Sequence, residues 1–193
     1  MRTAYSVSGL GFILIGLSFI LAALSQILMA ASLSLLGLVL DALGIVLVFA
    51  EWPRYLPSER RYTVGGALVY LAAVALSLIT KTFTITISLS VSASYTFPQA
   101  VSAVGNAFSG LLFYLSFFLF PYAFAGSEER GILAVSLAAG VVYSVVLSPL
   151  VIGGGIPSVG NFPYYVNLYA QIVSMLFGIA YAGTGLRVRK RRF

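Results

Sequence analysis

Between Arg2 and Glu51 the chain carries a single charged residue, Asp41, and this long uncharged run most limits the possible fold. An α-helix needs about 20 apolar residues to cross the hydrocarbon core of a bilayer. The run has the length of two such spans joined by a short turn near residues 28–32. One helix of the same length would be far longer than a membrane is thick. We therefore interpret the run as a helical hairpin in a membrane.

The rest of the chain has the same apolar character. Of its 193 residues, 60% are hydrophobic and 8% are charged, whereas a soluble domain carries about 25% charged residues. The pattern predicts an all-α polytopic membrane protein with six transmembrane helices in one integral domain that spans residues 1–193. The predicted spans lie near residues 7–28, 32–52, 63–80, 100–125, 131–152 and 163–186.

The basic residues predict the orientation in the membrane, because Lys and Arg accumulate in cytoplasmic loops. With the N-terminus in the cytoplasm, ten of the 11 basic residues fall on that side and only Lys81 falls outside. We therefore predict cytoplasmic N- and C-termini and a multi-pass location in the cell membrane. An alternative is that Arg2, the first apolar stretch and the sequence AALSQ form a cleaved signal peptide. Five spans would then remain in the same orientation.

Residues 82–97 read TFTITISLSVSASYTF, with Ser or Thr at every even position and an apolar residue at every odd one. A period of two among β-branched residues is typical of a β-strand. We therefore predict a short extracytoplasmic β-segment, either one strand or a hairpin that turns near residues 88–92. A hairpin would cover the outer helix ends as a lid. An unpaired strand would instead add to another membrane subunit or to a second copy of this chain.

Asp41 lies in the middle of the second span, where a charged residue costs about 2.5–3.5 kcal/mol on insertion scales. Its neighbours at steps of three and four along a helix are mostly small; this face consists of Ser34, Gly37, Asp41, Gly44 and Val48. Small residues let another helix approach closely, so we expect Asp41 to point into the bundle. No Lys or Arg falls within the six predicted spans. Ser18, at a comparable depth on the first span, is the expected hydrogen-bond partner.

Four other polar residues lie at a similar depth, one on each remaining span: Tyr70, Asn106, Tyr143 and Gln171. Together with Asp41 and Ser18 they would form a polar pocket about midway through the bilayer, open toward the outer side. Ionisable groups inside a membrane mark functional sites by default. Asp41 would accept a proton or bind a cationic or hydroxylated ligand. The other interpretations of Asp41 are internal packing and pairing with another subunit.

The C-terminal sequence RVRKRR is the most basic segment of the chain. Near an anionic membrane surface each cation is worth about 1 kcal/mol, so the segment either binds lipid headgroups or only fixes the topology. It lacks interleaved aromatic residues and a folded platform, and we therefore expect no nucleic-acid binding. The candidate headgroup residues are Arg187, Arg189, Lys190, Arg191 and Arg192.

The absence of Cys and His excludes thiol nucleophiles, cysteine-ligated metal sites and histidine acid–base catalysis. Asp41 is the only acid away from the span ends, and no phosphate-binding glycine loop or carboxylate cluster appears. We therefore expect no catalytic residue, no metal and no cofactor. The leading hypothesis is a non-enzymatic membrane protein that binds or translocates a small solute at Asp41. The alternative is an accessory or structural subunit of a larger membrane complex, which docks through Asp41 and residues 82–97.

Overall fold

The structure is a computed structural model that describes residues 6–90, 96–152 and 162–190, with only the backbone described at 83–90, 96–100, 151–152 and 162. Seven helices occupy most of these ranges: α1 Ser6–Ile27, α2 Ala31–Ala50, α3 Pro57–Ser90, α4 Thr96–Tyr122, α5 Ser127–Val142, α6 Ser148–Ile152 and α7 Phe162–Lys190. A 3₁₀ turn, Trp52–Arg54, precedes α3. A π-helical turn, Tyr143–Leu147, joins α5 to α6 without a break in the helical backbone.

Six helical stretches of the described residues are long and apolar enough to cross a membrane. They begin at Ser6, Ala31, Pro57, Val101, Ser127 and Pro163. The fifth stretch combines α5, the π-helical turn and most of α6, since it ends at Leu150. The prediction of an all-α protein with six spans is confirmed, and the chain has the fold of a multi-pass membrane protein.

The first two spans form the expected hairpin. Helix α1 ends at Ile27 and α2 begins at Ala31, with Met29 in the left-handed region at a φ of 50°. The backbone N–H of Ala30 donates to the carbonyl oxygen of Ser25 over 2.9 Å, which is the hydrogen bond that closes a Schellman turn. The turn reverses the chain within three residues.

The predicted β-segment at residues 82–97 is wrong. Helix α3 continues to Ser90 and α4 begins at Thr96, so the described part of this segment is helical and only residues 91–95 lie outside the described residues. A helix satisfies its backbone hydrogen bonds within the segment, whereas a single strand leaves them open and an isolated two-stranded hairpin is marginally stable. In addition, α3 packs along α4, and this contact favours helix over the local β-preference of Thr and Ile.

Helix α1 packs extensively against both α2 and α7. Glycines on α1 lie opposite glycines on each neighbour, so that the backbones touch. A Cβ atom on Gly16 would lie 2.6 Å from the carbonyl oxygen of Gly178, and one on Gly11 would lie 2.6 Å from that of Gly44. Small residues at such contacts are how membrane helices gain van der Waals packing.

Helix α4 is the other central element, because it packs against α3, α5 and α6. Aromatic side chains fill the space between α1, α4 and α7. Phe12, Phe124, Phe177 and Tyr181 are almost fully buried there, and Phe12 lies 5.1 Å from Phe124 between ring centroids. Aromatic rings at such separations attract each other beyond the area that they bury.

One end of the bundle collects nearly all the described cations, and we call it the basic end. It contains the N-termini of α1, α3 and α5 and the C-termini of α2, α4 and α7. Contacts bring these termini together: Arg187 at the end of α7 forms an ion pair with Glu129 at the start of α5, with Nη1 and Oε2 3.6 Å apart. Glu129 also accepts a hydrogen bond from the backbone N–H of Gly126 over 2.9 Å, which caps α5.

Helices α2 and α3 are consecutive in the chain, but neither packs extensively against the other. Among the described residues, the main helical partner of α2 is α1 and that of α3 is α4. The two helices are joined at the basic end through Trp52–Arg54. A cleft therefore remains between them along the side of the bundle.

Candidate binding site

Asp41 lies in this cleft, which has a volume of about 260 Å³. We call it the Asp41 cleft. Helix α2 contributes Asp41 to one side and α3 contributes Tyr70 to the other, while α1, α4 and α7 form the back. Its lining includes Ile15, Phe19, Asp41, Ile45, Tyr70, Leu71, Ser116, Phe117, Phe120 and Tyr181. The second helix thus presents its one carboxyl group to a cavity with almost entirely apolar and aromatic walls.

The face that carries Asp41 is buried on either side of it, at Gly37 and Gly44. Gly44 contacts α1 at Gly11 and Ile15, and a Cβ atom on Gly37 would lie 3.3 Å from the carbonyl oxygen of Ser18. These contacts fix α2 against α1 above and below Asp41. The partly buried carboxyl group is therefore held at a fixed place on the side of the α1–α2 pair.

The polar partner of Asp41 is Ser18, at a long distance. Ser18 Oγ lies 3.4 Å from Asp41 Oδ1, but it also donates to the carbonyl oxygen of Ile15 over 2.7 Å. A serine hydroxyl has one hydrogen to donate, and the shorter bond takes it. The carboxyl group is therefore left without a strong donor among the described residues.

Two other hydroxyl groups of the cleft are engaged elsewhere. Tyr181 donates its hydroxyl hydrogen to the carbonyl oxygen of Phe117 over 3.0 Å, and Ser116 donates to that of Phe113 over 2.7 Å. Asp41 also belongs to neither ion pair of the described residues, which are Glu51–Arg54 and Glu129–Arg187. Such an incompletely bonded carboxyl group is available to a donor that enters the cleft.

A second cavity, of about 390 Å³, lies between α4, the π-helical turn and α7. We call it the serine cavity, after three of its lining residues: Ser144, Ser148 and Ser174. Two of the residues that the sequence places near mid-membrane, Asn106 and Tyr143, line it as well. Asn106 donates from Nδ2 to Ser102 Oγ over 3.3 Å, and Ser174 donates to the carbonyl oxygen of Phe19 over 3.1 Å.

Three aromatic side chains line both cavities, and we call them the aromatic partition: Phe19, Tyr70 and Phe117. Phe19 and Phe117 meet edge to face at 4.8 Å between ring centroids, and Tyr70 lies 6.3 Å from Phe117. The partition separates the carboxyl group from the serine hydroxyls. The candidate site is therefore two adjacent cavities of different chemistry.

The six residues that the sequence suggests for one pocket occupy different places in the structure. Asp41 and Tyr70 line the Asp41 cleft, with Ser18 beside Asp41. Asn106 and Tyr143 line the serine cavity, which Tyr70 also reaches. Gln171 is buried but lines neither cavity.

Sequence reasoning missed Ser144, Ser148 and Ser174. A signal for the first two was present, since Gly140, Ser144 and Ser148 follow each other at steps of four. Ser102, Asn106 and Gly110 on α4 show the same pattern of small and polar residues at steps of four. The structure brings the two stripes together: a Cβ atom on Gly110 would lie 2.6 Å from Ser144 Oγ.

Of the candidate headgroup residues, Arg187, Arg189 and Lys190 are exposed at the basic end, while Arg191 and Arg192 lie outside the described residues. The ion pair with Glu129 occupies Arg187 in part. The described residues contain no group of three or more acidic side chains that would hold a metal ion.

Comparisons with protein-family models, with curated proteins and with solved structures found no match. What this chain binds is therefore inferred from its own cavities.

Proposed function

We propose that this protein is a non-enzymatic protein of the cell membrane, with both termini in the cytoplasm, that binds a small cationic amphiphile at Asp41. The observation that carries the proposal is the carboxyl group of Asp41, which faces an open apolar cleft and lacks a strong donor. A carboxyl group at mid-membrane is costly. Because Asp41 faces an open cleft and not a tightly packed contact, a role in binding explains this cost better than a role in packing does.

The chemistry of the walls supports a cationic head with an apolar body. An ammonium group carries three donors, which is what the carboxyl group lacks. The aromatic side chains of Phe117, Phe120 and Tyr70 line the same cleft, and the faces of aromatic rings attract cations where water is excluded. The cleft lies on the side of the bundle between α2 and α3, so an alkyl tail can extend from it into the lipid.

The experiment measures binding of octylammonium to the protein in nanodiscs of zwitterionic lipid, by native mass spectrometry. We expect a one-to-one complex with the wild-type protein. Asp41→Asn keeps the size of the side chain and removes the charge, so the affinity should fall at least tenfold, which corresponds to about 1.4 kcal/mol. Octanol, which has the same tail and no charge, should bind equally to both proteins.

Glu128→Gln is the matched control, because it removes the same charge from an exposed site at the basic end. It should bind octylammonium like the wild type. The proposal is wrong if Asp41→Asn binds octylammonium as tightly as the wild type, or if the wild type does not bind it.

The alternative function, an accessory subunit of a larger complex, uses the same cleft for a transmembrane helix of a partner. Its second docking element, a strand at residues 82–97, is lost because the described part of that segment is helical. Native mass spectrometry of the protein gently extracted from its own membrane separates the two functions. Stoichiometric partner chains that dissociate in Asp41→Asn support the subunit, and a chain that carries only a small molecule supports the binding protein.

A further inference from the structure

The serine cavity contains the one buried side-chain polar atom of the described residues that has no hydrogen-bond partner, Ser144 Oγ. Ser144 is 2% exposed, so bulk water does not replace the missing partner. Native proteins leave few buried polar atoms without a hydrogen bond, and such an atom indicates a binding partner such as a ligand or an ordered water. The hydroxyl lines the cavity, from which such a partner can reach it.

The backbone around Ser144 is also irregular in a way that is common at binding sites. Tyr143–Leu147 is a π-helical turn, in which the N–H of Ser148 donates to the carbonyl oxygen of Tyr143. Such turns occur as single insertions within α-helices and are frequent at functional sites. Ser144 lies within this turn and Ser148 directly follows it, and both line the cavity together with Gly110 on α4. Gly110 leaves room for the hydroxyl, because a side chain there would collide with it.

The lining of the cavity indicates what class of molecule it accepts. None of its lining residues is charged, and its polar groups are the amide of Asn106 and the hydroxyls of three serines and three tyrosines: Ser144, Ser148, Ser174, Tyr70, Tyr114 and Tyr143. An ion in such a cavity would lose its hydration without a counter-charge. Hydroxyl groups, in contrast, both donate and accept, and they match serine and amide side chains. The rings of Tyr114 and Phe177 supply apolar faces.

We propose that the serine cavity is a second binding site, separate from the Asp41 cleft, for a small uncharged hydroxylated solute whose hydroxyl group bonds Ser144 Oγ. The volume of about 390 Å³ lies in the range of small-molecule sites. The aromatic partition keeps this solute apart from Asp41. The site goes beyond the cation binding proposed above and does not depend on it.

The test measures binding of three probes, glycerol, sorbitol and myo-inositol, to the protein in nanodiscs by native mass spectrometry at millimolar concentrations. We expect a one-to-one complex with at least one probe. Ser144→Ala, which removes only the hydroxyl oxygen, should lower its occupancy about tenfold. Asn106→Ala, on the opposite wall, should lower it as well. Asp41→Asn should leave it unchanged, so that failure of this site and failure of the Asp41 site are distinguishable.

Ser136→Ala is the matched control. Ser136 is fully buried on the same helix, two turns before Ser144, and it donates to the carbonyl oxygen of Ile132 over 2.7 Å. It does not line the serine cavity, so the probe should bind this variant normally. The proposal is overturned if no probe binds the wild type, or if Ser144→Ala binds the probe as well as the wild type and Ser136→Ala do.

A stability measurement separates loss of binding from loss of folding. Without a probe, Ser144→Ala removes a hydroxyl that bonds to nothing in the protein, so its melting temperature should equal or exceed that of the wild type. Ser136→Ala should melt lower, because it loses a hydrogen bond. Added probe should raise the melting temperature of the wild type more than that of Ser144→Ala. An equal rise in both proteins would contradict the site.

Discussion

Buried carboxylates at the basic end show what a structural acid in this protein looks like. Glu51 is 4% exposed and accepts two hydrogen bonds from Ser8, one from the backbone N–H at 2.7 Å and one from Oγ at 2.6 Å. Ser8 lies in the first turn of α1, so Glu51 satisfies a donor that the helix leaves open. Glu59 likewise accepts from the backbone N–H of Leu56 over 2.8 Å. Asp41 has no comparable donors, which distinguishes it from these structural acids.

Replacement of Glu51 by Ala should destabilise the fold. It leaves the N–H and hydroxyl of Ser8 buried without an acceptor, and we expect the free energy of unfolding to fall by about 1–3 kcal/mol. Thermal unfolding in mild detergent, followed by circular dichroism, measures the change. Glu128→Ala is the control, since Glu128 is exposed and its loss should change the stability by less than about 0.5 kcal/mol. Equal melting of the two variants would rule out the capping role.

At the scale of the helix, contacts between backbones decide which glycines matter. On α1, Gly9 and Gly16 are seven residues apart, and on α7 Gly178 and Gly185 have the same spacing. Gly9 faces Gly185 and Gly16 faces Gly178, as expected for two antiparallel helices in register. Each contact places a carbonyl oxygen of one helix where the other would carry a Cβ atom.

The same substitution at two glycines should therefore have opposite effects. Gly16→Ala places its Cβ 2.6 Å from the oxygen of Gly178 and 2.7 Å from the nitrogen of Ala182, so the helices must separate, and we expect a loss of about 1–3 kcal/mol. Gly65→Ala on α3 meets nothing within 4 Å and should stabilise its helix by up to about 1 kcal/mol. Unfolding in detergent compares the two variants. A neutral Gly16→Ala would contradict the close contact of α1 with α7.

Helices were predictable from the sequence where hydrophobicity alone decides them. The six spans and the turn near Met29 follow from the length of apolar runs, which the bilayer fixes. The segment at 82–97 was not predictable by its period of two, because its described residues extend α3 and begin α4, two helices that pack against each other. The β-preference of this segment was outweighed by the packing of α3 against α4, which a single sequence does not reveal.

At the scale of the whole molecule, the basic end predicts how the protein is oriented across the membrane. The described cations at this end, such as Arg60, Arg130 and Lys190, come from three different helices, while Lys81 lies far along α3. Positive residues are retained in the cytoplasm. The proposed orientation therefore has the basic end inside and the turn at Met29 outside.

Single cysteines test this orientation cleanly, because the chain has none of its own. Met29 is 93% exposed at the α1–α2 turn, and Glu128 is exposed at the basic end. In intact cells, a membrane-impermeant maleimide should label Met29→Cys and should label Glu128→Cys only after permeabilisation. The reverse pattern would show that the protein has the opposite orientation in the membrane. Labelling of both variants in intact cells would contradict the six-span topology.

The candidate site was predictable in part for a related reason. Depth along each span can be counted in the sequence, and this count predicts that Asp41, Tyr70, Asn106 and Tyr143 lie in the membrane interior. Which of them share a cavity depends on the rotation of each helix and on large side chains between them. Phe19 and Phe117 stand between the two groups, and their position follows from packing that no count of residues gives.

The limited contact between α2 and α3 also affects how the binding specificity of such a protein can change during evolution. Side chains that these helices direct into the Asp41 cleft, such as Ile45 and Leu71, are exposed and contribute little to the core of α1, α4 and α7. Exchanges of one apolar residue for another at such exposed positions usually alter stability by less than about 0.5 kcal/mol. The cleft can therefore acquire a new shape by single apolar substitutions while the scaffold stays intact, so descendants of one ancestor can come to recognise different molecules without an intermediate that fails to fold.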